Sequence, residues 1–173
     1  MQALQHASLL ELLAEVSVAF VGFSMLASVL RPNVQSDRVR FFGFRDVAET
    51  SLIATLASIG PLVLAAFELS PNTTWRLAGG AVGAIWIIGA NAAVRRQDGA
   101  LVAKRTPFTL LLTRAVAALV VLLALANVAY PSAARHVLLV VLCLTNSGLL
   151  FLFAAFSTEY LIEHERNEES DAA

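Results

Sequence analysis

The stretch Trp75–Arg96, WRLAGGAVGAIWIIGANAAVRR, decides the fold class of this chain. It is long and apolar enough to form a helix, yet it carries four glycines. In water an interior glycine costs a helix about 0.5–1 kcal/mol relative to alanine. In lipid, helices associate through close van der Waals packing and interhelical hydrogen bonds, and small residues permit that approach. The stretch therefore predicts a membrane-spanning helix.

The small residues of this helix repeat at the spacing of one helix face. Gly79 and Gly83 form a GxxxG pair, Gly80 and Ala84 repeat it one residue along, and Gly89 continues the pattern. Such a pattern predicts helix packing but does not name the partner helix. We favour packing within one chain over packing with a second copy, with this third helix as the central member of the bundle.

Composition also indicates a membrane protein. Of 173 residues, 58% are hydrophobic and 14% are charged, whereas a soluble domain carries about a quarter charged residues. The net charge of −1 argues against nucleic-acid binding, which needs a clustered basic excess. The single cysteine, Cys143, has no partner for an intramolecular disulfide, and we interpret it as a small buried hydrophobe.

Five apolar segments predict an all-α polytopic transmembrane bundle. A span needs about 20 mainly apolar residues, and helices satisfy their own backbone in lipid. The bundle occupies residues 1–162 and an acidic cytoplasmic tail occupies 163–173. The predicted spans are 9–30, 47–67, 76–94, 108–130 and 136–160.

An alternative has four spans plus an N-terminal interfacial helix. Glu11 and Glu15, four residues apart, favour that alternative slightly. Interfacial helices need a strongly polar face, however, and Val16 to Leu30 has no charged residue. We therefore favour five spans, with both carboxylates near the outer headgroups.

Arginine-rich loops set the predicted orientation. The segments 31–45 and 95–105 each hold four basic residues, and positive loops stay cytoplasmic. This places the N-terminus outside and the C-terminus inside a cell (inner) membrane, and the Ala-, Leu- and Arg-rich composition suggests a bacterial source. Gly60-Pro61 is expected to bend the second helix, with neighbouring helices satisfying the freed carbonyl.

The stretch RVRFFGFR alternates basic and aromatic residues directly before the second span. Such flanks anchor helices at the membrane interface, with rings in the acyl boundary and guanidinium groups among phosphates. The predicted lipid-interface residues are Arg38, Arg40, Phe41, Phe42, Phe44 and Arg45.

One basic residue lies inside a predicted span. Arg114 is about 10 Å into the fourth helix when counted from Pro107, so its side chain either snorkels to the cytoplasmic surface or pairs with Glu49 or Glu159. We favour a structural ion pair over a gating role, because buried charges are commonly paired.

Hydroxyl and amide residues form stripes along several spans. Interhelical hydrogen bonding is the interpretation that these residue types favour, and a water-lined path is the alternative. The candidate pore or outer-mouth residues are Glu11, Glu15, Ser17, Ser24, Ser51, Thr55, Ser58 and Asn146.

The sequence contains no recognisable catalytic motif, and we predict a non-enzyme without cofactor or metal. The favoured function is a homo-oligomeric channel that passes small ions, with the two carboxylates enriching cations at its outer mouth. The alternative is a non-catalytic structural or accessory subunit of a larger membrane complex. An ion-coupled transporter ranks third, because coupling normally needs a mid-membrane carboxylate. The expected partners are membrane lipids and further subunits.

Overall fold

A computed structural model describes the backbone of residues 2–29, 37–96 and 107–171, and the side chains of 6–27, 44–92 and 111–155. All regular structure within these ranges is helical. The five helices are α1 (Gln2–Val29), α2 (Asp37–Ala65), α3 (Pro71–Arg96), α4 (Pro107–Ala129) and α5 (Ala133–Asp171).

Four of the five helices are long and apolar enough to cross a membrane. The helix that does not qualify over its described residues is α3, which the sequence analysis counted as a span. Its described side chains end at Ala92 and include Arg76, Asn91 and four glycines. The apolar windows that qualify are His6–Ala27, Phe44–Ala65, Leu111–Ala129 and Ala133–Ala155.

The helices α2, α3, α4 and α5 form a ring in which each packs against the next. Helix α1 packs outside this ring, against α2 and α5. Helix α5 contacts all four other helices in the described part of the chain, whereas α3 packs against α2, α4 and α5. The prediction that the glycine-rich α3 is the central member is therefore wrong. Small residues on α3 bring it close to neighbours on two sides but do not place it in the middle.

Helix α1 lies alongside the bundle. The Phe20 and Phe151 rings meet edge to face, with centroids 6.2 Å apart. A Cβ atom built on Gly148 would lie 3.9 Å from the tip of the same Phe20 ring. These contacts with α5 and the apolar window of α1 favour a spanning α1 over a helix lying flat on the surface.

Helix boundaries follow local chemistry. Ser70 caps α3, because its hydroxyl accepts a hydrogen bond from the Thr73 N–H at 3.3 Å, and Pro71 follows at the first helical position, where its missing N–H costs nothing. Helix α2 begins at Asp37, so the basic-aromatic stretch 38–45 belongs to the helix. Helix α5 has 39 residues, about 58 Å at 1.5 Å per residue, and includes most of the predicted acidic tail.

The interior of this bundle combines an apolar core with polar side chains, and its exterior is largely apolar. Large apolar side chains face outward, among them Phe23, Ile88 and Leu111, which are 62%, 68% and 69% exposed. Many polar side chains are buried between the helices instead. The buried polar residues are Ser17, Ser24, Ser51, Thr55, Ser58, Thr74, Asn127, His136, Asn146 and Ser147. A contiguous apolar exterior of this extent indicates a surface covered by lipid or by other subunits.

Candidate functional site

The charged residues within the apolar window of α1 are Glu11 and Glu15, and both side chains are exposed. The opposite face of α1 carries Leu10, Ser17 and Ser24, which are buried against the rest of the chain. Successive helical residues are about 100° apart, so Glu15 points almost directly away from that buried face. The two carboxylates therefore lie on the side of α1 that no described part of the chain covers.

Glu15 lies near the middle of α1 along the helix axis. Helix α1 runs from Gln2 to Val29, and its middle falls between Glu15 and Val16. At 1.5 Å per residue, Glu15 is within about 1 Å of that middle, and Glu11 is about 7 Å away. The predicted span starts at residue 9, whereas the helix begins at Gln2.

Small residues continue the face that carries Glu15. Ala19 and Gly22 follow it at helical spacing, and both are exposed. A Cβ atom added at Gly22 would meet nothing within 4 Å. This surface, which we call the α1 outer face, consists of Glu11, Glu15, Ala19 and Gly22. It combines charge with room for a close approach.

Neither carboxylate of the α1 outer face has a partner among the described side chains. The ion pair found in that part of the chain joins Arg45 Nε to Glu49 Oε1 at 2.9 Å, near the other end of the bundle. An unpaired carboxylate is costly in hydrocarbon. In hydrocarbon, the α1 outer face would require water or a partner that the described residues do not supply.

The remaining candidate pore residues are buried within the single chain. Ser17 donates to the Leu13 carbonyl at 2.6 Å, Thr55 to the Ser51 carbonyl at 3.0 Å and Ser58 to the Ala54 carbonyl at 2.9 Å. Each of these bonds returns to the residue's own helix. Ser24, Ser51 and Asn146 are buried as well. In this arrangement the hydroxyl stripes are in contact with neighbouring helices.

Among the described residues, polar contacts join different helices at three places that bear on the site. Ser147 Oγ donates to Thr50 Oγ1 at 2.9 Å, linking α5 to α2. Asn127 Nδ2 donates to the Trp75 carbonyl at 2.9 Å, linking α4 to α3. The third is a 2.8 Å bond between His136 Nε2 and the Ala57 carbonyl. Because a carbonyl oxygen only accepts, the imidazole carries its proton on Nε2. The sequence did not single out His136, although Pro61, which frees a carbonyl, was a signal for such a partner.

The glycines of α3 face two different helices of the same chain. A Cβ atom on Gly79 would lie 2.7 Å from Asn127 Nδ2, and one on Gly83 would lie 3.0 Å from Ala124 Cβ, both on α4. A Cβ atom on Gly89 would instead lie 3.6 Å from Ile53 on α2. Gly80 has an ordinary contact at 3.5 Å with Val128, and Ala84 is exposed.

The predicted ion pair and lipid-interface residues lie in the first halves of α2 and α4 and in the second half of α5. Arg114 is exposed on α4, and Glu49 is half-buried on α2. The neighbours of α2 include α3 and α5. The side chain of Glu159 lies outside the described residues, as do those of Arg38, Arg40, Phe41 and Phe42. Phe44 is half-buried and meets the Phe151 ring edge to face. Arg45 is the exposed partner of Glu49.

No group of three or more His, Cys, Asp or Glu could hold a metal ion within the described ranges. Comparison with known proteins found no matching family model, no matching curated protein and no matching solved structure. The α1 outer face is therefore the candidate site with the most specific chemistry.

Proposed function

We propose that this chain is an integral membrane protein that assembles with copies of itself around the α1 outer face and passes small cations. The observation that carries the proposal is the exposed carboxylate of Glu15 near the middle of an apolar helix. Intramembrane ionisable residues normally face a water-filled cavity or a partner and mark ion pathways. A ring of copies with α1 innermost supplies such a cavity.

The residues of the α1 outer face fit this arrangement. Glu11 and Glu15 would form two rings of carboxylates about 6 Å apart along the axis, and acidic rings favour cations. Ala19 and Gly22 would follow on the cytoplasmic side, where their small size brings neighbouring helices together. The hydroxyl residues of the original pore prediction would remain buried inside each subunit, so they are not proposed as pore-lining residues.

A second candidate function is an accessory subunit of a larger membrane complex. The buried hydroxyl stripes favour it, because Thr55 and Ser58 bond to their own helix and make a subunit without an internal polar path. In that case Glu15 would pair with a lysine or arginine of a different protein. An ion-coupled transporter that uses Glu15 is the third proposal.

We also propose which membrane contains the chain, how many times the chain crosses it and in which orientation. The chain would lie in a bacterial inner membrane with five spans, including α3. The N-terminus would be outside and the C-terminus cytoplasmic, because the basic segments 31–45 and 95–105 favour that orientation. Lipids would then contact the exposed apolar faces of α2 and α4.

The test combines a measurement of the mass of the assembly with a measurement of cation flux. The protein is extracted in native lipid and weighed intact, then reconstituted in liposomes to measure cation flux. We expect a homo-oligomer and a flux that falls at least several-fold in Glu15→Gln. Glu68→Gln is the matched control, because Glu68 is exposed in the turn after α2 and outside every apolar window. A monomer without flux would contradict the proposal, and a fixed complex with a different protein would support the accessory role instead.

A further inference from the structure

Two buried polar side chains near the middle of the bundle lack hydrogen-bond partners, and one is a donor where the other is an acceptor. Trp86 Nε1 is a donor and Asn146 Oδ1 is an acceptor, and neither has a hydrogen-bond partner. Both residues are only 4% exposed. Leaving a buried donor or acceptor unsatisfied costs about 1–3 kcal/mol.

The two side chains face the same interior space. Trp86 belongs to a buried cluster with residues of all five helices, among them Val120 of α4 and Cys143 of α5. Asn146 follows Cys143 by three residues, which places both on one face of α5. Trp86 is therefore buried between the helices, and Asn146 lies on a face of α5 that contributes to the same cluster.

Neighbours of Asn146 confirm its direction. Ser147 bonds to Thr50 of α2, and Gly148 lies beside Phe20 of α1. Successive residues turn by about 100° around a helix. Gly148 is rotated by about 100° from Ser147 toward α1, and Asn146 is rotated by the same angle in the opposite sense. Asn146 therefore faces away from α1, into the ring of α2 to α5.

We propose that an internal water molecule bridges Trp86 and Asn146 between α3, α4 and α5. Its oxygen accepts the indole N–H of Trp86, and one of its hydrogens is donated to Asn146 Oδ1. A buried water needs two to four polar partners, and these two meet that minimum. Bulk water does not reach this depth, so the bridging molecule is a structural part of the fold. The site is independent of the proposed pore, which lies on the outside of α1.

Nuclear magnetic resonance tests the bridge directly. The chain has two tryptophans, so Trp75→Phe leaves Trp86 as the one indole N–H signal in nitrogen-labelled protein. We expect magnetisation transfer between this N–H and a long-lived water, and we expect Asn146→Leu to abolish it. Ser51→Ala is the control variant: Ser51 is also buried with an unpartnered hydroxyl, but it lies on a helix face turned toward α1, so its loss should leave the signal unchanged.

Two outcomes would overturn the inference. An indole N–H signal without transfer from water in Trp75→Phe would show that no water is bound. Transfer that persists in Asn146→Leu would show that the water has other partners. If Asn146→Leu does not fold, two other measurements test the water bridge. The first is the transfer in Trp75→Phe, and the second is the effect on it of Asn146→Ser, which keeps a shorter polar group.

Discussion

His136 Nε2 lies 2.8 Å from the carbonyl oxygen of Ala57, four residues before Pro61. Proline has no N–H, so the carbonyl four residues earlier loses its helical partner. The imidazole of α5 donates the missing hydrogen bond to α2. This contact satisfies the freed carbonyl in a buried environment, and it ties α2 to α5 just before Pro61.

Removing the imidazole should therefore destabilise the protein. We expect His136→Leu to lower the free energy of unfolding in detergent by about 1–3 kcal/mol, because the Ala57 carbonyl is left unsatisfied. Pro61→Ala restores a backbone N–H, so the same histidine substitution should cost clearly less in that background. Equal costs in the two backgrounds, measured by a double-mutant cycle, would contradict the role of the bond.

Helix α3 offers a matched pair of glycine substitutions. Gly79→Ala places a Cβ atom 2.7 Å from Asn127 Nδ2, and Asn127 is held by bonds to the Trp75 carbonyl and the Ser132 N–H. We expect a loss of about 1–3 kcal/mol from overpacking. Gly80→Ala has an ordinary 3.5 Å contact and should be neutral or slightly stabilising. Thermal unfolding in detergent compares the two, and equal stabilities would refute close packing at Gly79.

The two kinds of buried serine should respond differently to alanine. Ser58 bonds to its own helix at Ala54, whereas Ser147 also bonds to Thr50 of another helix. Interhelical bonds in membranes contribute about 0.6 kcal/mol on average. Ser147→Ala should therefore lower stability more than Ser58→Ala. A larger loss at Ser58 would indicate that its hydroxyl serves a partner beyond its own helix.

Asn127 should be among the most sensitive polar positions. Its amide donates to the Trp75 carbonyl and accepts from the Ser132 N–H, so it joins α4 to the start of α3 and to the turn before α5. Asn127→Leu keeps the volume but leaves the Ser132 N–H unpaired, at about 1–3 kcal/mol, and removes the second hydrogen bond of the Trp75 carbonyl. Backbone hydrogen exchange at Ser132 should rise in this variant. Unchanged exchange there would show that the asparagine does not hold the turn.

Much of the fold was predictable from composition and periodicity. The helical character, the apolar stretches and the role of Pro61 follow from local sequence, and the carbonyl freed by Pro61 is satisfied by a neighbouring helix as expected. Which helix is central was not predictable, because small residues on α3 show that a close approach is possible but not where α3 lies in the ring. His136 is an example of the same limit, since its partner is 79 residues away.

The position of Glu15 along α1 differs from the prediction for a different reason. Charge counting placed the start of the first span near residue 9, but the helix begins at Gln2. A start several residues earlier moves the middle of the helix by several ångströms. Glu15 therefore lies near the middle of α1 and not near its outer end.

The most direct test of this account measures water access along the α1 outer face. Single cysteines replace Glu11, Glu15 and Ala19 in a Cys143→Ala background, in native membranes, and react with a water-soluble, membrane-impermeant thiol reagent. A hydrated axis predicts rapid labelling at positions 11 and 15, and no labelling of a matched cysteine at Val16, which is exposed on a neighbouring face of the same helix. Cysteines at 11 and 15 that resist the reagent, while a lipid-dissolved quencher reaches them, would contradict the central claim.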